Sequence, residues 1–600
     1  MNYHEYDVII IGSGCAGLNT ADCLYENGVK NIAVVTEGLK MGTSRNTGSD
    51  KQTYYKQAIA SDTVDGAGEM AKTLFSGGAV NGDTALTESA NSLKCFFKLV
   101  SLGVPFPKNE YGEYVGYQTD HDENKRATSA GPLTSKYMTE ALEKEVIRKN
   151  IKIFDNTAVF KLIKHGNKIS GAIGYNSKTR EYELFSARFV VLATGGSAYL
   201  YRDKVFPYSQ SGMSGMAIES GAQTSNITEW QYGLASVDFR WNVSGTYQQV
   251  LPRYVSVDEN GDEHEFLLDY FDNPTDAINT VFMKGYQWPF DSKKLDGSSK
   301  IDVCVHKEMQ KGRAVYMDFR RNPTGLDFDS LSNEAKAYLE KSGALFGTPI
   351  ERLNKMNKKA IDLYKAHKID LYKDMLRVAV CAQHQNGGIS VDKNYETSVH
   401  GLYAVGEAAG VFGVYRPGGT ALNSTQVSSL CAAEAISKIK IRKTDNREFL
   451  IKEAQDFIGK IKIQKTKSKN ILKIQNEIQA EMSVFAGFLR DEEKIAALQK
   501  KVKRYNKDFF LNIGAVSENQ LYALFKLRDM LITAETFLNA LSVWCKDTVY
   551  RGGAVSNGKK TTDKYDNLIL ITKNKKVFWE NPREIPKSET WFETVYNQRR

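Results

Sequence analysis

The stretch that decides the fold is Tyr6-Asp7-Val8-Ile9-Ile10-Ile11-Gly12-Ser13-Gly14-Cys15-Ala16-Gly17, followed by Leu18-Asn19-Thr20-Ala21-Asp22-Cys23-Leu24. An apolar run enters a G-x-G-x-x-G turn and leaves as an amphipathic helix. The first glycine makes the tight bend, the second lets backbone approach a pyrophosphate, and the third packs helix on strand. The helix N-terminus then faces the phosphates. A second strand, Asn31-Ile32-Ala33-Val34-Val35-Thr36, ends at Glu37, 20 residues past Gly17. A carboxylate at that distance takes the ribose hydroxyls of an adenine dinucleotide.

Bulk composition narrows the class. The 600 residues are enough for several domains, and 42% hydrophobic with 11% aromatic residues is the balance of a globular protein. No apolar run reaches the roughly 18 residues of a membrane helix. The chain enters its first strand within a few residues, leaving no room for a signal peptide. The seven cysteines (15, 23, 95, 304, 381, 431 and 545) form no C-x-x-C pair. That argues against a metal site, an iron–sulfur cluster within the chain or a disulfide framework, and the expected location is cytoplasmic.

The net charge of +9 is concentrated between Lys438 and Lys473, with twelve Lys or Arg against four acids. Two readings stand: a docking face for an acidic partner such as an electron-carrier protein, or a solvated helix pair in a lysine-rich chain. Nucleic acid is the less favoured partner.

Further along, Gly38-Leu39-Lys40-Met41-Gly42-Thr43-Ser44-Arg45-Asn46-Thr47-Gly48-Ser49-Asp50-Lys51-Gln52 is a small, polar loop. It is placed to run along an isoalloxazine edge, with Gly38, Thr43, Ser44 and Lys51 as contacts. Helical patterns cover 83–102 and 135–149, and two short strands surround Val159 and Gly171-Ala172-Ile173. Arg188-Phe189-Val190-Val191-Leu192 reads as a buried parallel strand ending in Ala193-Thr194-Gly195-Gly196. From 236 to about 374 the strand–helix alternation stops, as for an inserted domain, and it resumes near Val378. Apolar residues at helical spacing recur over 471–490 and 519–548. The polar tail beyond 559 is expected to wrap the surface.

These residues resemble the flavoprotein subunit family of succinate dehydrogenase, fumarate reductase, L-aspartate oxidase and adenylylsulfate reductase. The likeness runs through Gly12 to Gly17, Gly103-Val104-Pro105-Phe106 and Ala193-Thr194-Gly195-Gly196. It continues in Gly401-Leu402-Tyr403-Ala404-Val405-Gly406-Glu407, Leu527-Arg528-Asp529-Met530 and Tyr550-Arg551-Gly552-Gly553-Ala554. The resemblance implies an α/β fold, a Rossmann-like FAD-binding domain with an inserted α+β capping domain and a helical C-terminal domain. The expected boundaries are 1–235 and 376–440 for the FAD-binding domain, 236–375 for the capping domain, 441–558 for the helical domain and 559–600 for the tail. It carries flavin contacts onto Gly12, Gly14, Gly17, Glu37, Ser44, Ala193, Thr194, Gly195 and Glu407, and onto Val159 and Leu422.

The departures are equally informative. Covalent members carry a flavin-linked histidine in the loop after the ribose-binding acid; here the stretch is Ser44-Arg45-Asn46-Thr47, so non-covalent FAD is expected. Lys51 offers a cation near the ring, where it favours reduced anionic flavin, or else faces solvent. The family's dicarboxylate grip is mostly absent. Gln231-Tyr232-Gly233-Leu234 lacks the substrate-binding histidine, and no Thr-Glu pair lies near Val250-Leu251-Pro252-Arg253. The proton-donating arginine is replaced in Ile301-Asp302-Val303. The family's second histidine falls on Gln383, with His384 one step later. Arg416 alone matches cleanly, as a two-pronged donor for a carboxylate or carbonyl.

The expected activity is hydride transfer between flavin and a small organic substrate that is not a simple C4 dicarboxylate. Arg416, His384 and Gln383 form the catalytic set, and the proton donor is sought among Tyr232, Arg253 and Lys300. Alternatives are an oxidase that reduces oxygen, or a flavoprotein subunit docking an iron–sulfur or other electron-transfer partner. No second G-x-G-x-x-G announces a nicotinamide domain.

Overall fold

The computed structural model describes residues 1–60, 64–440, 446–461, 470–515, 517–558 and 563–597. Its central sheet has the order Lys152–Phe154, Ile32–Val35, Asn2–Ile11, Tyr182–Leu192, Lys168–Asn176, Thr157–His165. Asn2–Ile11 pairs in parallel with Ile32–Val35 on one side and with Tyr182–Leu192 on the other, setting Ile11 beside both Val35 and Leu192. Leu402–Ala404 adds to the C-terminal half of Tyr182–Leu192, again in parallel. Val8, Ile9 and Ile10 are fully buried, as a strand covered on both faces requires. The helix Cys15–Glu26 packs mainly on Thr420–Ser437 and Thr134–Arg148. The C-terminal ends of the parallel strands therefore converge with two helix N-termini. Ligands of open α/β sheets bind at that edge.

A second sheet is almost wholly antiparallel and supplies the other wall of the site. Its order is Trp241–Asn242, Trp230–Ser236, Leu376–Gln385, Ala314–Asp318, Arg253–Val257, Glu263–His264. Trp230–Ser236 and Leu376–Gln385 are its long pair, and their register sets Gln231 opposite His384 with an irregularity between Gln231 and Tyr232. A third, small sheet of Thr53–Tyr55, Asp122–Ser129 and Tyr117–Thr119 projects a hairpin tip, Asp120-His121, toward the same place. The C-terminal helices include Arg447–Ile458, Ile471–Phe485, Glu492–Asn506 and the 27-residue Leu521–Asp547.

Two sequence expectations change. The strands near Val159 and Gly171 are longer than read, at nine residues each, because Thr157–His165 and Lys168–Asn176 form one hairpin. The C-terminal tail wraps the surface only in part. Ile569–Lys573 pairs with Thr224–Ser225 and with Lys576–Glu580, and Ile569, Leu570 and Ile571 are buried. Short apolar runs inside a polar tail hide such strands, because one edge partner is enough to bury them. Residues 441–445 and 462–469 of the lysine-rich stretch lie outside the described residues. Among the described residues, no helix is long and apolar enough to cross a membrane.

Candidate active site

A cavity of about 850 Å³ runs from the first G-x-G turn to the antiparallel sheet, within the size range of small-molecule sites. At one end stand Gly12, Ser13, Gly14, Cys15, Ala16, Glu37 and Gly38; Val159 and Ala193 to Gly195 line one flank, Thr43, Ser44 and Lys51 another. Glu407, Leu422, Gln383, His384 and Arg416 are also on the wall. Every residue predicted to contact the flavin or to grip the substrate therefore reaches this one cavity except Gly17. Gly17 sits behind the turn, where a Cβ would lie 2.0 Å from the Gly12 carbonyl oxygen. Its place is the helix–strand contact, the part the spacing assigned to it.

The glycine turn is built for close approach. Gly12 has φ +112°, and a Cβ there would sit 2.3 Å from the Ala193 carbonyl oxygen. Gly14 caps the helix with no side-chain hydrogen bond, and the first turn carries no acid. Its leading N–H groups and positive dipole end face the cavity without an internal anion. The helix Thr420–Ser437 repeats the pattern, with Gly419 at φ +94° as N-cap and no acid in the first turn. The hydroxyls of Thr43 and Thr194 are buried without partners. A phosphate-bearing, hydrogen-bonding ligand satisfies such a lining; an apolar one leaves it unpaired.

Glu37 is more restrained than the sequence suggests. Lys526 Nζ lies 2.6 Å from its carboxylate, Tyr522 donates its phenol to it, and Ser211 Oγ donates at 3.2 Å. Lys526 and Tyr522 come from Leu521–Asp547, nearly five hundred residues away in sequence, so the acid is held before any ribose arrives.

At the other end, Arg416 Nη2 donates to Gln231 Oε1 at 2.7 Å and Nη1 to Thr420 Oγ1 at 3.3 Å, while its Nε is buried and unpaired. Arg416 makes no ion pair among the described residues. Burial pulls the guanidinium down to about 10, partly offset by Glu407 and Asp120, so it stays charged at neutral pH. Burial also raises Glu407 to about 7, opposed by the backbone N–H groups of Gln385 and Gly196 and by Arg416.

His384 faces the cavity as an acceptor. Its Nδ1 lies 3.0 Å from Asn386 Oδ1, and Asn386 spends its Nδ2 on the Val414 carbonyl. Nδ1 must therefore carry the proton, leaving Nε2 a bare acceptor with no protein partner. Burial, reinforced by Arg416, holds the imidazole well below its ordinary range. It is neutral at pH 7, so it serves the grip expected of it as an acceptor and carries no positive charge. Gln383 Nε2 is likewise buried and unpartnered.

The three residues nominated as proton donors are not on the cavity wall. Tyr232 is buried against Tyr201 through a 2.9 Å hydroxyl contact. Arg253 is tied to Glu265 at 2.9 Å, and Lys300 lies over the Phe271 ring at 4.2 Å. Tyr232 and Arg253 lie on strands of the antiparallel sheet and Lys300 on the helix Ser299–Gln310, and all three are engaged by the framework. Conversely, Asp120, Gln249, Tyr286, Trp288 and Tyr338 line the cavity and were not selected. The last four fall in the stretch without strand–helix alternation, and Asp120 lies in a polar loop; neither context gives a sequence signal.

With this geometry in hand, comparison with known proteins assigns the family. The family model described as "FAD binding domain" matches residues 7–422. The chain belongs to the FAD-binding domain family. An uncharacterized FAD-dependent oxidoreductase of Methanocaldococcus jannaschii is 24% identical over 588 residues, covering 96% of this chain and 97% of that protein. One subunit of the CoM/CoB fumarate reductase of Methanothermobacter marburgensis is 25% identical over 554 residues, covering 88% of this chain and 91% of its own length. A chain of E. coli quinol fumarate reductase superposes with a TM-score of 0.72 at 19% identity, covering 98% of each chain. The resemblance read from the motifs is borne out, as is the multidomain α/β fold. The protein is an FAD-dependent oxidoreductase, and its fold is that of the fumarate reductase chain it superposes on.

Proposed function

We propose that this FAD enzyme is a reductase or dehydrogenase acting on a small organic molecule that presents one carboxylate or carbonyl to Arg416, and that is not a simple C4 dicarboxylate. The observation that carries this reading is the charge of the cavity wall. Among its described residues the cations are Arg416 and Lys51, and His384 is neutral. A second carboxylate would meet Gln231, Gln383, Tyr286 and Trp288, which can donate hydrogen bonds but supply no positive charge.

Bound FAD supplies hydride acceptance and donation at N5. The chain supplies the rest. Gly12 to Ala16 and the N-terminus of Cys15–Glu26 would receive the pyrophosphate, and Glu37 a ribose. Arg416 holds the substrate oxygen with its unpaired Nε and remaining N–H groups, braced by Gln231 and Thr420. His384 Nε2 accepts, and Gln383 Nε2 donates, on either side. Such a grip fixes the reacting carbon within about 3–3.5 Å of its partner. The FAD is held without a covalent link. Ser44 to Thr47 offer no histidine, and Arg45 is turned away into Glu143 and Glu140.

The electron partner is proposed to be another protein, in keeping with the M. marburgensis relative being one subunit of its enzyme. The test begins with a visible spectrum before and after acid precipitation. FAD released to the supernatant is the expected result, and yellow colour trapped in the pellet would refute the non-covalent reading. The photoreduced enzyme is then mixed with a panel of enoates and air. Reoxidation by a monocarboxylate supports the proposal, whereas reoxidation by fumarate alone, or by oxygen at a faster rate, overturns it.

A further inference from the structure

Hydride exchange at a carbon beside a carboxylate moves a proton as well, and Tyr232, Arg253, Lys300 and neutral His384 do not provide it. The hairpin tip between Tyr117–Thr119 and Asp122–Ser129 carries another acid. Its two residues, Asp120 and His121 (φ +60°), lie along the segment that carries Arg416. The Thr119 hydroxyl is so close to Gly418 that a Cβ there would be 2.2 Å away, and the His121 ring is 5.2 Å from that of Tyr415. Asp120 thus lines the main cavity together with Arg416 and Gln231. The neighbouring acid is spoken for: Asp122 accepts from Tyr55 and pairs with Arg126. Among the described residues nothing donates a hydrogen bond to the Asp120 carboxyl.

Asp120 also lines a second cavity of about 60 Å³, room for a few waters, whose wall includes His121, Gln231, Asp291, Lys294 and Tyr415. Asp120, with Gln231, Gln287 and Pro289, therefore stands between a substrate-sized space and a small polar one, and it is the one acid among the four. We propose, on the reading that Arg416 anchors the substrate, that Asp120 is the catalytic residue exchanging the proton, refilled through the small cavity. In the direction of reduction, a hydride from reduced FAD forms a C–H bond at one carbon of a carbon–carbon double bond. The π electron pair moves to the neighbouring carbon, which takes the proton as the Asp120 O–H bond breaks. The substrate gains two electrons and two hydrogens. The carboxylate left behind is reprotonated by water, and oxidation runs the same steps backward.

The charge surroundings suit that cycle. Burial raises Asp120 to about 6, with Asp291 adding to it and Lys294, Arg416 and Lys284 opposing. An acid so poised is accessible in both forms near neutrality. Burial, with Lys294, Arg416 and Lys293, lowers His121 against the pull of Asp291, leaving it mainly neutral there.

Two measurements on the FAD-loaded enzyme decide the matter, comparing wild type with Asp120→Asn. Crotonate, an unsaturated monocarboxylate, is titrated by its perturbation of the flavin spectrum between roughly pH 5.5 and pH 8. Ionised Asp120 opposes an anion on Arg416, so crotonate should bind at least about tenfold more weakly at the upper pH. D120N should lose most of that difference, keeping only the part due to Glu407, which titrates at about 7 and also interacts with Arg416. Infrared pH-difference spectra should show a carboxylic acid titrating near neutrality that D120N lacks. A variant that keeps the wild-type pH profile, or an infrared difference unchanged by the substitution, overturns the proposal. Arg416→Gln separates the two readings: lost crotonate binding with the Asp120 band intact confirms the anchor. Crotonate that binds wild type at no pH removes the anchor and leaves the infrared result to decide Asp120.

Discussion

Replacing Gly17 by Ala tests the organising turn without any knowledge of the substrate. Gly17 lies in the first turn of Cys15–Glu26, and its new Cβ would meet the Gly12 carbonyl oxygen at 2.0 Å and the Ala193 Cβ at 3.2 Å. The first obstacle is backbone, held by the hydrogen bond from Gly12 N to Val35 and by the sheet behind it. No flexible side chain can yield, so helix and strand must part by roughly an ångström, an overpacking cost of about 1–3 kcal/mol. The helix N-terminus moves with that separation, and it is the part assigned to the pyrophosphate. If the cost falls on the holo state, the Kd for FAD rises about 5- to 150-fold. The assay is reconstitution of the apoprotein with FAD, followed by quenching of flavin fluorescence, with circular dichroism to check the fold. Gly68→Ala is the control, since it lies in Ala67–Ser76 with nothing within 4 Å of its Cβ. It should leave FAD binding unchanged and raise the helix preference slightly. Wild-type FAD affinity in G17A would refute the assignment of this turn to the cofactor.

Other expectations follow from the same geometry. Arg416→Lys should retain FAD yet lose turnover by about 10- to 150-fold on whichever enoate the panel identifies. An ammonium that serves Gln231 and Thr420 has one N–H left for the substrate where the guanidinium has three, so at least one charge-assisted hydrogen bond is lost, about 1.5–3 kcal/mol; unchanged kcat/KM would remove Arg416 from the site. Asp22 is buried between Lys98 and Lys149, each at 2.6 Å. Burial raises its pKa, but the two lysines outweigh that and hold it below the ordinary carboxylate range. The pair's stabilisation is therefore present above the unfolded value near pH 4 and is lost as pH falls through the folded value. Asp22→Asn should lower Tm at pH 7 and converge with wild type in acid, and a Tm difference independent of pH would contradict this.

Much of the site could be read in the sequence because short-range rules govern it. A nucleotide turn is local: Gly12 supplies the positive φ of the bend, Gly17 clears the Gly12 carbonyl five residues before it, and the apolar run Val8 to Ile11 must be a covered strand. Glu37 follows at a spacing set by one helix and one strand. The ordered motifs at 193–196 and 401–407 sit at the ends of strands adjoining Asn2–Ile11 and Tyr182–Leu192, so their arrival at the same cavity follows from a parallel sheet. Arg416 was legible through the resemblance alone, as the arginine of the family's Arg-x-Gly segment.

What the tertiary structure alone decided involves partners distant in sequence. That Glu37 is held by Tyr522 and Lys526, that Gln231 braces Arg416, and that Asp120 shares its cavity from a hairpin tip are consequences of packing between elements far apart in sequence. No local periodicity encodes them. The same holds for the protonation of His384, which depends on where Asn386 spends its amide, and for Tyr232, Arg253 and Lys300, whose types suited acid chemistry but whose strands and helix turned them into the framework. The buried tail strand at Ile569–Lys573 makes the point in miniature: its apolar run is too short to signal burial, and Thr224–Ser225 supplies the edge that buries it. Backbone constraints act over a few residues and are written in order along the chain. The direction a side chain faces across a cavity is fixed only when the elements on both sides have packed.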